Sequence, residues 1–207
     1  MNAHSLDTFQ HSLNDTQVRI LDAAIKCFTK WGVEKTRLSD VAKEAGVTRT
    51  TVYNHFSSLD AILRTAILTS ASSFLHRILA LFNEDDLPSQ RLKKTFCFVL
   101  ETFPKEPYLN FVLSSTMQQR LNLDIFNDVD STAFITRAFD AIFSGYDLTG
   151  YNLSACIEMT MRLLLSLLTI NGQFNASAHR VEEFIDNQLL PAVGLSPSQE
   201  AALSRIV

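Results

Sequence analysis

Residues 35–56, KTRLSDVAKEAGVTRTTVYNHF, constrain this chain more than any other stretch. Leu38, Val41 and Ala42 fall at helical spacing, and Ala45-Gly46-Val47 breaks the run. Thr48 is a residue type that caps helices. Val52 and Phe56, one turn apart, give the helix behind it a narrow apolar face. Two helices joined by a short turn containing Gly predict a helix-turn-helix. Gly46 supplies the turn, and Ala42 is small enough to let the two helices approach. The second helix buries so few side chains that Arg49, Thr50, Thr51, Tyr53, Asn54 and His55 are expected to face outward. There they can donate to phosphates or reach base edges.

The order of residues goes further than a generic helix-turn-helix. SDVAKEAGVTRTTVYNHF followed by SSLDAIL resembles the tetracycline-repressor family of bacterial one-component regulators, through the Ala-Gly-Val turn and the ending at Tyr53, His55 and Phe56. The resemblance covers roughly residues 15–65. It implies an all-α chain, with an N-terminal three-helix DNA-binding domain and a larger helical domain that dimerises and binds a small effector. Read with the outward row, it assigns DNA contact to Arg37, Ser39, Thr48, Arg49, Thr50, Thr51, Tyr53, Asn54, His55 and Ser57. Thr50, Thr51 and Tyr53 are expected in the major groove beside Arg49 and Asn54, with Arg37, Ser39, His55 and Ser57 mainly on phosphates. Two positions depart from the family pattern. Arg37 stands where Ser or Thr often opens the first helix of the pair, so Thr36 is the expected cap. Leu59 stands where a Lys is common, which removes one backbone contact.

A net charge of −4 looks wrong for a DNA binder until it is divided along the chain. Residues 14–65 hold eight Lys/Arg and six Asp/Glu, a local net of +2, while residues 66–207 hold ten and fifteen. The basic charge travels with the motif, and a local basic face matters more than the total. With so small an excess, tight binding calls for two modules. Apolar residues make up 46% and charged residues 19%, the balance of a globular chain. Cys27, Cys97 and Cys156 are odd in number and far apart, so they predict neither a zinc site nor a disulfide framework but reduced thiols in apolar surroundings. The first residues lack a basic, then apolar, leader pattern. The longest apolar run, near residues 163–168, is far short of the roughly 20 residues that span a bilayer. A cytoplasmic protein without a membrane partner is expected.

Along the chain, residues 1–13 read as a flexible arm without Lys or Arg. Residues 14–60 read as the DNA-binding domain, 61–195 as the effector-binding and dimerisation domain, and 196–207 as a tail that frays. Helix 1 is expected to open at Asn14, with Gln17 completing a capping box, and to end at Trp31-Gly32. From Leu59 a proline-less pattern runs to about Phe82 and links the two domains, and Glu84-Asp85-Asp86 reads as a solvated turn. Further stripes follow on Leu92, Phe96, Val99, Leu100 and Phe103, and on Phe134, Ile135, Ala138, Phe139 and Ile142. Residues 153–170 are apolar almost all round, which places a helix in contact on more than one side. Together with residues 181–190 they are the expected homodimer interface, through Leu153, Ile157, Leu164, Leu167, Leu168, Val181, Phe184 and Ile185.

No Gly-rich phosphate loop, nucleophile elbow or acid/base pair stands out, so no enzyme, metal or cofactor is expected. The chain has fifteen Phe. Most belong to core, yet some could line an apolar cavity, and the family resemblance favours one. Phe74, Phe103, Phe111, Met117, Phe139 and Arg162 are the expected wall for a small hydrophobic effector. Arg162 is its polar anchor unless it belongs to a surface ion pair or an interface. The function implied is a ligand-responsive regulator, a repressor that holds a palindromic double-stranded operator as a homodimer. The alternative is an effector-independent architectural DNA-binding protein whose second domain only dimerises.

Overall fold

In the computed structural model the described residues are 13–114, 118, 119, 121, 129–170, 172 and 177–206. Their regular structure is helical, apart from an isolated bridge between Tyr146 and Arg205. Helix α1, Asp15–Trp31, opens with the expected box: Asn14 Oδ1 accepts the Gln17 N–H, and Gln17 Oε1 accepts the Asn14 N–H, each at 3.0 Å. It buries Ile20, Leu21, Ala24, Cys27 and Phe28 on one face and stops at Gly32, whose φ of 79° no L-residue adopts readily. A 3₁₀ turn, Val33–Lys35, leads to α2, Leu38–Ala45, and then to α3, Arg49–His55.

The opening of α2 differs from expectation. Arg37, not Thr36, holds the N-cap position, and its N–H donates to the Asp40 carboxylate at 2.9 Å. An acidic residue at the third helical position reaches back to the cap backbone, so no cap hydroxyl is required. Thr36 is buried and donates to the Gly32 carbonyl at 2.8 Å.

Helix α4, Leu59–Leu79, starts where Ser58 Oγ accepts the Ala61 N–H, and buries Ile62, Leu63, Ala66, Ile67, Phe74, Leu75 and Ile78. The later helices are α5, Pro88–Thr102; α6, Val129–Ile142; α7, Leu153–Thr169; and α8, Ala178–Phe184. Helix α8 widens into a π turn at Ile185–Leu189 and runs on through Leu190–Ala192, where Pro191 has no N–H to give. Last comes α9, Pro197–Glu200. None of these helices is long and apolar enough to cross a membrane.

The compact units do not follow the boundary expected near residue 60. Unit 1 is Met1–Phe74 with Glu106–Asp130, and unit 2 is Leu75–Lys105 with Ser131–Val207. Helix α4 therefore belongs to unit 1 through Phe74 and ends in unit 2. Residues 106–114, 118, 119 and 121, expected among the effector-binding helices, sit in unit 1. There Phe111 meets Phe28 edge-on at 6.3 Å between ring centroids, and Tyr108 donates to the Leu21 carbonyl.

Within unit 2, Leu92, Phe96, Phe139, Ile142, Phe143, Ile185, Leu189 and Leu195 form the core. Arg91 is buried among them without a carboxylate, and its Nη1 donates to the Ser144 carbonyl at 2.9 Å, closing the end of α6. Three residues expected at a dimer interface, Leu164, Val181 and Ile185, are buried inside this unit. Leu153, Ile157, Leu167, Leu168 and Phe184 are half-buried. Asp86 is likewise not a solvated turn residue: it is buried and holds Lys94 Nζ at 2.6 Å.

The tail does not fray. The Glu200 carboxylate, 7% exposed, accepts from Ser89 N at 2.7 Å and Ser89 Oγ at 2.6 Å, at the first turn of α5. An anion there satisfies orphan N–H groups and complements the helix dipole. The Asp147 N–H also donates to Ser204 O at 2.8 Å and the Ile206 N–H to Gly145 O at 2.9 Å, so residues 197–206 form part of the unit. Glu200→Ala is expected to lower the unfolding free energy by about 1–3 kcal/mol, because a buried charge-assisted pair is lost. Chemical denaturation of the two proteins checks this.

Candidate nucleic-acid interface

Helices α2 and α3 have eight and seven residues, too short to persist alone in water. Their conformation is imposed by packing. Val41, Ala42 and Ala45 of α2 and Val52 and Phe56 around α3 are all buried. The turn between them closes at Gly46, with φ 66° and ψ 34°, and the Val47 N–H donates to Ala42 O at 3.0 Å. An L-residue in this left-handed conformation costs roughly 1–2 kcal/mol. Arg19 adds a strut that the sequence did not reveal: its Nη2 donates to the Ala45 carbonyl at 2.7 Å, from α1 to the end of α2. A charged residue on the polar side of an amphipathic helix carries no mark of such a role.

Helix α3 begins as expected at Thr48, whose Oγ1 accepts the Thr51 N–H at 3.0 Å. The two threonine hydroxyls also bond each other at 2.8 Å, which fixes their orientation. Beyond the cap, Arg49, Thr50, Tyr53 and Asn54 are exposed and Thr51 and His55 half-buried; Arg37, Ser39, Thr48 and Ser57 are exposed as well. All ten expected contact residues thus carry accessible side chains on α2, α3 and their caps. Tyr53 is 46% exposed, a large aromatic ring left at the surface of the single chain. Arg49 leans on it, with the guanidinium 5.4 Å from the ring centroid and Nη2 donating to the hydroxyl at 3.2 Å. That hydrogen bond holds the Arg49 pKa above its ordinary value. Since the Tyr53 oxygen accepts from Arg49, its own proton is directed elsewhere, and the remaining guanidinium N–H groups keep their fork geometry.

The six expected effector residues are not brought together within either unit. Phe74 and Phe111 belong to unit 1; Phe103, Phe139 and Arg162 belong to unit 2; Met117 lies outside the described residues. Phe74 and Phe139 are buried in core. Arg162 is exposed and pairs with Glu158 one turn away, Nη2 to Oε1 2.7 Å, which is its ion-pair role rather than a buried anchor. Among the described residues no group of three His, Cys, Asp or Glu side chains could hold a metal ion. Cys27 and Cys156 are buried and Cys97 half-buried, all three reduced, and burial pushes each thiol pKa up.

Known proteins share both the motif and the fold. The sequence model described as bacterial regulatory proteins, tetR family, matches residues 20–66. An uncharacterised HTH-type transcriptional regulator of Bacillus subtilis, YerO, is 25% identical over 206 residues, 94% of this chain and 70% of that protein. A probable HTH-type regulator of Pseudomonas putida, ArpR, is 34% identical over 73 residues, 35% of each chain. Among solved structures, the fatty acid degradation regulator FadR of Bacillus halodurans superimposes with a TM-score of 0.64 at 17% identity, covering 88% of this chain and 97% of its own. The FadR of Bacillus subtilis in complex with stearoyl-CoA gives 0.55 at 16%, covering 86% and 98%.

Because the turn has left-handed backbone, Gly46→Ala is expected to destabilise the protein by about 1–2 kcal/mol. Gly46→Asn should cost less, since Asn tolerates this region. Paired urea titrations of the two variants and the parent give the order directly.

Proposed function

Because the chain belongs to the tetR family of bacterial regulatory proteins, we propose that it is a cytoplasmic, non-enzymatic repressor that binds a palindromic operator as a homodimer and is released by a small hydrophobic effector. The observation that carries the DNA reading is the exposed row on α3, with Arg49 already stacked on Tyr53. In this reading Arg49 donates two parallel hydrogen bonds to a guanine edge, a contact worth roughly 1–3 kcal/mol of discrimination. Tyr53, with its hydroxyl proton turned away from Arg49, enters the major groove, while Arg37, Ser39, His55 and Ser57 lie mainly on phosphates. Thr50, Thr51 and Asn54 lie against the groove.

Dimerisation follows from the weakness of one head. A local net of +2 in residues 14–65 releases few counterions, so two heads on successive half-sites are needed for operator affinity. Helix α7 supports the interface: Ile157 and Leu168 are half-buried and Met159 is 43% exposed in the single chain. Leu164, Val181 and Ile185 are buried in the single chain and support it less.

For the effector, the supporting observation is that Arg91 Nε and Thr95 Oγ1, one turn apart on α5, are buried with no hydrogen-bond partner among the described residues, as is Thr160 Oγ1 on α7. Buried polar groups are normally satisfied, and a ligand with an apolar body and a polar end would satisfy them. The Bacillus subtilis regulator of the same fold holds stearoyl-CoA, so acyl-CoAs and free fatty acids are the first probes.

Two outcomes are expected. Arg49→Ala with Tyr53→Ala should abolish retention of the DNA flanking the protein's own gene in a gel shift, with circular dichroism and sedimentation unchanged; undiminished retention refutes the base-reading assignment. Ile157→Glu and Leu168→Glu should each convert a dimer into monomer or aggregate. Sedimentation of the parent as a monomer at micromolar concentration refutes the dimer.

A further inference from the structure

The described residues 106–114, 118, 119 and 121 belong by position to the helical second half of the chain, yet they are built into unit 1. Leu109, 3% exposed, roots the segment in that unit, and Gln118 Nε2 folds back onto the Val112 carbonyl at 2.6 Å. Two contacts then join it to α1. The Tyr108 hydroxyl donates to the Leu21 carbonyl, and the Phe111 ring stands edge-on to Phe28. A third joins it to α4, where Arg64 Nη2 donates to the Leu121 carbonyl at 2.5 Å.

The Leu21 contact is unusual because a mid-helix carbonyl is already used by its own helix. A side chain that donates to it fixes where that helix lies along its axis and how it is rotated. Two residues before Leu21 on the same helix, Arg19 reaches the Ala45 carbonyl, the last residue of α2 before the Gly46 turn. The turn sets where α3 points. Tyr108–Leu21 and Arg19–Ala45 are two direct contacts inside unit 1, joined through the backbone of α1, and the Gly46 turn connects Ala45 to α3.

We infer that Tyr108 and Phe111 are positioning residues for operator recognition: they hold α1, and through Arg19 the turn, so that α3 presents Arg49 and Tyr53 at a fixed angle. This rests on the reading that α3 binds DNA. Loss of either contact of this Tyr108–Phe111 clasp alters base reading more than phosphate contact. Phosphate binding needs only a positive surface, whereas bidentate base contacts need an orientation.

The test uses the full-length protein and a labelled duplex enriched by it from a random-sequence pool, with a scrambled duplex of the same composition beside it. Tyr108→Phe removes one hydrogen bond and keeps the ring; Phe111→Leu keeps apolar volume and loses the edge-on contact. Tyr151→Phe, which deletes a hydroxyl donating to Val193 O at 2.5 Å in unit 2, is the matched control. Tyr108→Phe and Phe111→Leu should weaken the enriched duplex by about 2- to 10-fold, the net worth of one hydrogen bond or ring contact, and leave the scrambled duplex unchanged. Amide exchange of residues 45–56 without DNA should quicken in both variants and not in Tyr151→Phe. The inference is overturned if both variants match Tyr151→Phe in binding and exchange, or if they lose both duplexes equally. Arg49→Ala decides the underlying reading separately: if it retains the enriched duplex, or if no duplex is enriched, α3 is not the reader, and the exchange rates alone decide whether the clasp positions it.

Discussion

The burial of α1 is the constraint on which the rest of unit 1 depends. Helices of eight and seven residues have no independent stability, and the row they present outward contributes almost nothing to folding. What holds them is the face of α1 that buries Ile20, Leu21, Ala24, Cys27 and Phe28 and packs along α2, where Val41, Ala42 and Ala45 are buried; α2 in turn packs on α3, where Val52 is buried. Close approach at Ala42 and Ala45 keeps the turn short, and Gly46 closes it in a conformation that other residues resist. A reading head assembled this way can vary its outward residues without loss of fold. That freedom lets one scaffold serve different DNA sequences.

Much of this unit was legible because its rules are local. Asn14 with Gln17, Gly32, Thr48, and the spacing of Val52 and Phe56 each act within one or two turns, and each takes its expected place. The cap of α2 was missed for a reason of the same scale. Thr36 has the right chemistry, but Asp40 satisfies the cap backbone from inside the helix and leaves Thr36 to bond Gly32. Two acceptable partners lay within four residues, and composition alone does not rank them.

Errors of a different kind arose where long-range contacts decide. Glu200 reads as a charge on a polar tail until Ser89, 111 residues away, turns it into a helix cap. Residues 106–121 carry an apolar pattern that suits any helical core, and nothing local says which core receives it. The apolar residues of α7 and α8 were not divisible between interface and interior, because periodicity shows that a helix has two apolar sides, not which side meets its own chain. Leu164, Val181 and Ile185 went to the inside. Arg162 illustrates the converse: a lone charge on an apolar helix invites a ligand role, but Glu158 at the preceding turn answers it locally.

On the proposed reading of α3, the pairing of Arg49 with Tyr53 contributes little to stability and acts in recognition. A cation over an aromatic ring at the surface adds roughly 0.5–1 kcal/mol, and its hydrogen bond competes with water. Its effect lies in the unbound state. An arginine side chain otherwise surrenders roughly 2 kcal/mol of rotamer freedom when it docks. Tyr53 removes part of that freedom beforehand and directs its own proton outward. The ordering entropy is then spent during folding of α3, where packing of Val52 and Phe56 supplies the free energy, and less of it opposes binding. For a head with so little excess positive charge, pre-ordering of the reader offsets what electrostatics alone does not provide.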